Sequence, residues 1–320
     1  MTARGASENL RPMPADHPQP DIDLPEGAEI TEVLRLVPGR RAVFAGYWQG
    51  RAAIFRLAEP ATAELQAREW HEARRIWPYM QGARFRVAEP LAYLPHLRLM
   101  VMERAPGTPL LQWLWQAAPE TRGAALAPAA LWLRRYTDVS EIWARATPQG
   151  WLARAARSAE AQPFARLRNL EADILAALAR LGQRIEAEDW RVAICHGDFH
   201  PNNLLRDGLL HDGARLTGID TGASAQMPVC RDIARFLMHL ARRGMAPSGQ
   251  TWCGADAALV AAFTDAFALT TFEQRAVLPF FLGIDALSRV ETEGLKRRRL
   301  RLAETAYAAL RDDLERLTRA

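Results

Sequence analysis

The sequence predicts an α+β fold, with a small antiparallel-sheet N-lobe followed by a larger, mainly helical C-lobe. Three observations carry this prediction. Between Glu29 and Leu57, short apolar runs alternate with turn residues. After Glu103-Arg-Ala-Pro-Gly107, apolar residues recur at helical spacing. Within the helical half, Val192-Ala-Ile-Cys195 opens a stretch of strand, loop and hairpin.

Each element follows in order. Residues 1–25 are rich in Pro, Asp and Ala and lack apolar periodicity, the composition of a disordered tail. The N-lobe is assigned to 26–103. It begins with Glu32–Val37, turns at Pro38-Gly39, continues through Ala42–Ala45, turns at Gln49-Gly50 and returns through Ala52–Leu57, an antiparallel meander. A polar helical stretch from Ala63 to Met80 and a strand over Leu97–Met102 complete it. The C-lobe is assigned to 104–320. Helices are expected over 127–147, 163–187, 229–243, 255–268, 272–291 and 296–318. The last carries an apolar stripe of Leu300, Ala303, Tyr307, Leu310, Leu314 and Leu317. A hairpin of Leu204-Leu205 and Leu216–Ile219 is expected around His211-Asp-Gly213.

Bulk properties narrow the class. A chain of 320 residues can bury a sizeable core, and its apolar and charged fractions are those of a globular protein. The net charge of +4 is spread along the chain, so nucleic acid is not an expected partner. The three cysteines, Cys195, Cys230 and Cys253, form no paired spacing, which fits a reducing, cytoplasmic setting. No apolar run approaches bilayer length, and the N-terminus has no apolar signal region.

The chemistry concentrates in His196-Gly-Asp-Phe-His-Pro-Asn-Asn203, Gly218-Ile-Asp-Thr-Gly222 and Arg231-Asp-Ile-Ala234. Phosphoryl transfer needs one carboxylate beside the attacking hydroxyl, and hard oxygen ligands for the magnesium that bridges the phosphates. Asp198 offers the carboxylate. Asn203 offers an amide oxygen from the same loop. Asp220 ends an apolar strand shortly before Gly222, so it can point into a cleft.

These three segments, in this order, resemble the aminoglycoside phosphotransferase and choline kinase family of protein-kinase-like small-molecule kinases. The resemblance implies a protein-kinase-like two-lobe fold and transfer from ATP, with Mg2+, to a hydroxyl of a small molecule or glycan. It implies Asp198 as the catalytic base, Asn203 and Asp220 as magnesium ligands, and Asp232 as the buried brace of the catalytic loop. In the family a Lys on the third strand binds the ATP phosphates and pairs with a Glu on the next helix. Here the third strand carries Arg56, a departure that puts the nucleotide geometry in question. Glu72 is the foremost partner, with Glu69 and Glu64 as alternatives. Met102, Glu103 and Ala105 take the position of the adenine-binding hinge.

Plainer readings stand beside these. His196 reads mainly as support for the loop, and Cys195 as core. His200 is read equally as a substrate contact or as loop packing, and Asp285 as helix surface before substrate cleft. Arg56 could instead be a solvated strand residue. Two other functions fit parts of the sequence: a nucleotide-binding pseudokinase, suggested by Arg56, and a metallohydrolase using His196, Asp198 and His200. The run Lys296-Arg-Arg-Arg299 with Arg301 points toward an anionic substrate or peripheral contact with a membrane surface, or is simply a solvated helix face.

Overall fold

The computed structural model describes residues 24–82, 84–208, 214–288 and 296–319. The tail expected at 1–25 lies outside these but for Leu24 and Pro25, as do the turn at 211–213 and the end of the helix expected to reach residue 291. The chain divides into two compact units, residues 1–81 with 86–106, and residues 82–85 with 107–320.

The first unit is a twisted antiparallel sheet with one main helix. Its strands are β1 (Ala28–Val37), β2 (Arg41–Trp48) and β3 (Arg51–Ala58), followed by helix α1 (Ala63–Ile76). A short strand, β4 (Phe85–Val87), marks where the chain crosses the boundary between units, and β5 (Pro90–Leu94) and β6 (Leu99–Glu103) return to the sheet. The order is β1-β2-β3-β6-β5. The β2–β3 connection is a two-residue turn at Gln49-Gly50, both with positive φ (49° and 77°), the backbone that matches strand twist in a tight hairpin. Alternation along β3 sends Ala53 and Phe55 into a core with Phe44, Leu99 and Val101. The intervening residues, Ile54 and Arg56, therefore take the other face.

The second unit is mainly helical. Strand β7 (Thr108–Pro109) leads to α2 (Leu110–Gln116) and α3 (Pro119–Asp138). Strand β8 (Ile142–Arg145), α4 (Gln149–Ala159), α5 (Ala165–Glu186) and β9 (Asp189–Cys195) follow. Strands β10 (Leu204–Asp207), β11 (Arg215–Gly218) and β12 (Ala225–Pro228) precede α6 (Val229–Ala241), α7 (Ala257–Phe267), α8 (Leu278–Ser288) and α9 (Arg297–Arg319). The helix expected over 127–147 is displaced. It starts at Pro119, where a proline costs no helical hydrogen bond, and stops at Asp138. Ile142–Arg145 then pairs with β9 as an edge strand, which removes 142–145 from any helix. Helix α4 has no counterpart in the sequence-based assignment.

Helix α6 forms the centre of the second unit. All but one of its residues are buried, and it packs mainly against α8. A π-helical turn over Glu273–Val277 precedes α8 and carries the fully buried Glu273, which accepts from Arg191 Nε at 3.0 Å. The cationic run opens α9, with Lys296, Arg297, Arg298 and Arg301 exposed and no acidic residue in the first turn. No described helix is long and apolar enough to cross a membrane.

Candidate active site

The site in the second unit grows from the end of β9. After Cys195 the chain must turn sharply, and Gly197 supplies the turn with φ +82°. A Cβ there would lie 1.9 Å from the Ala223 carbonyl oxygen, so no side chain fits. His196 is fully buried, and its Nε2 lies 2.9 Å from the Ile219 carbonyl. The imidazole packs among Trp132, Tyr136 and Phe199, and Trp132 in turn stacks on Phe199 at 5.4 Å. His196 thus ties the loop to the segment between β11 and Asp220.

Helix α6 holds the loop from its other side. Asp232, fully buried, accepts the Gly197 N–H at 3.0 Å through Oδ2. Arg231 Nη1 donates to Asp232 Oδ1 at 3.0 Å and also to the Gly197 carbonyl. One turn further on, Arg235 Nε donates to Asp198 Oδ1 at 3.0 Å. Asp198 Oδ2 lies 3.4 Å from His200 Nε2, and the Asp198 side chain retains 35% exposure. The carboxylate is therefore oriented by two basic groups yet open to a reactant.

The far end of the loop is equally fixed. Asn203 Nδ2 donates to the Asp198 carbonyl at 2.9 Å, leaving its amide oxygen as a separate acceptor. The Ile219 N–H donates to the Asn203 carbonyl at 3.0 Å, which joins the loop to the chain just before Asp220. Asp220 itself adopts the left-handed conformation, φ 61° and ψ 54°, a backbone that Asp tolerates better than most residues. An amide oxygen and a carboxylate on adjoining segments are the hard donors that suit Mg2+, which completes its shell with water and phosphate oxygens. By contrast, among the described residues no group of three or more His, Cys, Asp and Glu side chains could hold a metal ion. The His196–Asp198–His200 set does not converge, because His196 points to the Ile219 carbonyl.

His200 and His239 are stacked, with ring centroids 4.6 Å apart. Burial lowers the pKa of His200, against the opposing pull of Asp198. Burial first, then Arg243, lowers that of His239 well below its ordinary value. Burial likewise pushes the Cys195 thiol well up, and its Sγ donates to the Met227 carbonyl. Asp285 lies in α8 and is the one residue of 278–287 that is not buried.

In the first unit, Arg56 is paired with Glu69, one of the helix carboxylates that the sequence offers. Its Nη1 bonds Glu69 Oε1, and the two side chains are only 12% and 9% exposed. Glu72 accepts two hydrogen bonds from Arg75 of its own helix, at 2.7 and 2.8 Å. Gln66, Glu69, Ala73 and Ile76 form the buried stripe of α1, and the Glu72 side chain beside it is enclosed as well. Gln66 Nε2 adds a bond to the Arg56 carbonyl at 2.7 Å. Arg56 is thus not a solvated strand residue. At the expected hinge, Met102 pairs with Ile54 across the sheet. Glu103 is engaged by Arg86 and by the Glu89 N–H, and Ala105 follows the end of β6.

A model of the phosphotransferase enzyme family (APH) matches residues 38–278 of the 320. The chain belongs to the phosphotransferase enzyme family. A comparison with curated proteins finds no match. Among solved structures, an aminoglycoside 2'-phosphotransferase-IIIa bound to GDP is similar with a TM-score of 0.53 and 12% identity, over 90% of this chain and 94% of that one. A glucosamine kinase in complex with glucosamine, ADP and inorganic phosphate gives 0.52 and 16%, over 90% and 77%. The Plasmodium vivax ethanolamine kinase gives 0.51 and 11%, over 87% and 81%. At these identities the likeness is one of fold. This phosphotransferase has the protein-kinase-like α+β fold of small-molecule kinases, an antiparallel sheet followed by a helical part. Arg235 and His239 were not singled out in the sequence. Their spacing from Asp232, three and seven residues, was the available signal, since it sets all three on one helix face.

Proposed function

We propose that this phosphotransferase moves the terminal phosphoryl group of ATP to a hydroxyl of a small molecule or glycan, with Asp198 receiving the hydroxyl proton. The observation that supports this best is the double anchoring of the Asp198 loop. Asp232 and Arg231 hold it at Gly197, and Asn203 holds it at the Asp198 carbonyl. Phosphoryl transfer asks the protein mainly for position and charge, and a carboxylate held on a fixed backbone meets that need.

In the reaction, the acceptor oxygen bonds to the terminal phosphorus while the bond from that phosphorus to the bridging oxygen of ADP breaks. The acceptor proton passes to Asp198, and ADP leaves. Magnesium held by Asn203 and Asp220 would neutralise phosphate charge when bound. His196 and Asp232 serve as structural supports of the loop. Arg56, oriented by Glu69, contacts the nucleotide phosphates in the role a Lys has in relatives. The Met102–Ala105 segment receives the base. Residues 26–103 supply the nucleotide contacts and 104–320 the catalytic and acceptor groups. The named neighbours act on glucosamine, ethanolamine and aminoglycosides, which favours a sugar or amino alcohol as acceptor. A nucleotide-binding module without turnover is the second reading, favoured by Arg56 in place of Lys.

The test is ADP formation from ATP and magnesium across a panel of sugars, amino alcohols and aminoglycosides. Asp198→Asn keeps the shape and removes the base, so turnover should fall by about a hundredfold to ten-thousandfold. Full turnover in that variant would remove Asp198 from the role. Nucleotide binding without ADP from any acceptor would favour the second reading.

A further inference from the structure

Three residues of one face of α6 meet three residues of the Asp198 loop in sequence order. Asp232 bonds Gly197, Arg235 bonds Asp198, and His239 stacks on His200. The first contact is saturated. The other two are not. Arg235 is 6% exposed, and its polar contact among the described residues is the single bond from Nε to Asp198. A guanidinium carries five N–H donors, four of them on Nη1 and Nη2. His239 is 3% exposed with no partner for Nε2, and His200 is 4% exposed with none for Nδ1.

His200 Nδ1 and His239 Nε2 are buried and unpaired, which is costly and makes such a cluster a place where a ligand completes the hydrogen bonding. The chemistry of that ligand follows from the donors. A permanent cation with several free N–H groups beside two imidazoles calls for anionic oxygens. A polycation placed there would meet the guanidinium. We infer that Arg235, His239 and His200 form an oxyanion subsite beside Asp198, which takes a phosphate or carboxylate. This deepens the kinase reading and rests on it for the placement beside the reacting carboxylate. The oxyanion has two sources: an acidic group on the acceptor, or the terminal phosphate of the nucleotide.

The experiment is calorimetric titration of the full chain with inorganic phosphate, without nucleotide, so that it does not depend on turnover. Saturable binding is expected in the parent. Arg235→Gln should weaken it at least about tenfold, the effect of removing a charge-assisted contact. Arg235→Lys should fall between. His239→Phe keeps the stack and removes Nε2, and should weaken binding several-fold; melting curves establish that each variant is folded. If Arg235→Gln does not fold, Arg235→Lys and His239→Phe carry the test. Two further arms assign the source. Displacement of phosphate by a non-hydrolysable ATP analogue assigns the subsite to the nucleotide. Undiminished phosphate binding with the analogue present, together with tighter binding of glucosamine 6-phosphate than of glucosamine, assigns it to the acceptor. Either result supports the subsite. No saturable binding in the parent, or binding unchanged in the folded variants, overturns it. Phosphate binding lost in the variants, with no ADP from any acceptor, would keep the subsite and remove the kinase reading.

Discussion

At the scale of single residues, Arg56 joins a strand to a helix through a carboxylate. Arg56 stands on β3, where alternation turns it away from the apolar core, and Glu69 meets it from the buried stripe of α1. Removing one partner of a pair this enclosed leaves the other charge uncompensated. Glu69→Ala should therefore destabilise the first unit by roughly 2–4 kcal/mol in urea unfolding, whereas Glu64→Ala, whose carboxylate is exposed and meets Arg68 at 4.0 Å, should cost about 1 kcal/mol or less. Equal effects would show that the Arg56–Glu69 pair is not the stronger one. For function, Arg56→Ala should weaken ATP binding by roughly 1–3 kcal/mol, the range for charge-assisted hydrogen bonds. Arg56→Lys should retain or improve turnover, because an ammonium can serve both Glu69 and phosphate with less bulk. Parent-like ATP affinity in both variants, measured by calorimetry, would take Arg56 out of the nucleotide site.

At the scale of elements, the Asp198 loop depends on a turn that only glycine can make. Gly197 combines φ +82° with a Cβ position 1.9 Å from backbone. Gly50, in the β2–β3 turn, has φ +77° but nothing within 4 Å. The comparison separates backbone strain from collision. Gly50→Ala should cost about 1 kcal/mol, the penalty of a left-handed alanine. Gly197→Ala carries that penalty and a clash with the Ala223 carbonyl, so about 2–4 kcal/mol is expected, along with loss of turnover through displacement of Asp198. Thermal melting of the two variants checks the difference. A Gly197→Ala protein as stable as Gly50→Ala would mean that the loop relaxes around the extra carbon.

At the scale of the whole molecule, each unit encloses its own core. The first is centred on Phe44, Phe55 and Val101 of the sheet. The second surrounds α6, where Ile233, Phe236, Leu237 and Leu240 are almost completely buried. The three thiols report on the second unit alone. Cys195, Cys230 and Cys253 are all buried within it, and burial raises all three thiol pKa values. A thiol shielded in this way is a poor nucleophile until it is exposed. Thiol-reactive dye should therefore label the native protein slowly at neutral pH, and all three sites should become reactive together as the second unit unfolds in urea. Fast labelling of a single cysteine under native conditions would show that one part of that unit opens on its own.

The sequence by itself determined what is written in local pattern. Turn pairs and alternation marked β1, β2 and β3, and the order of the His-Gly-Asp, Asn and Ile-Asp segments marked Asp198, Asn203 and Asp220. Such features are legible because a turn residue or a close-spaced loop states its geometry within a few positions. Tertiary structure decided the rest. Ile142–Arg145 became a strand because β9 offered it an edge, and no local signal records a partner nearly fifty residues away. Glu69 meets Arg56 although one helical turn offers several glutamates, and only packing against the sheet brings the pair together. Arg235 stands 37 residues beyond Asp198, and the two meet only because Asp232, one turn earlier on α6, is drawn to Gly197. Charge pairs between distant segments carry no spacing rule, so they become visible only when the elements that bear them are packed.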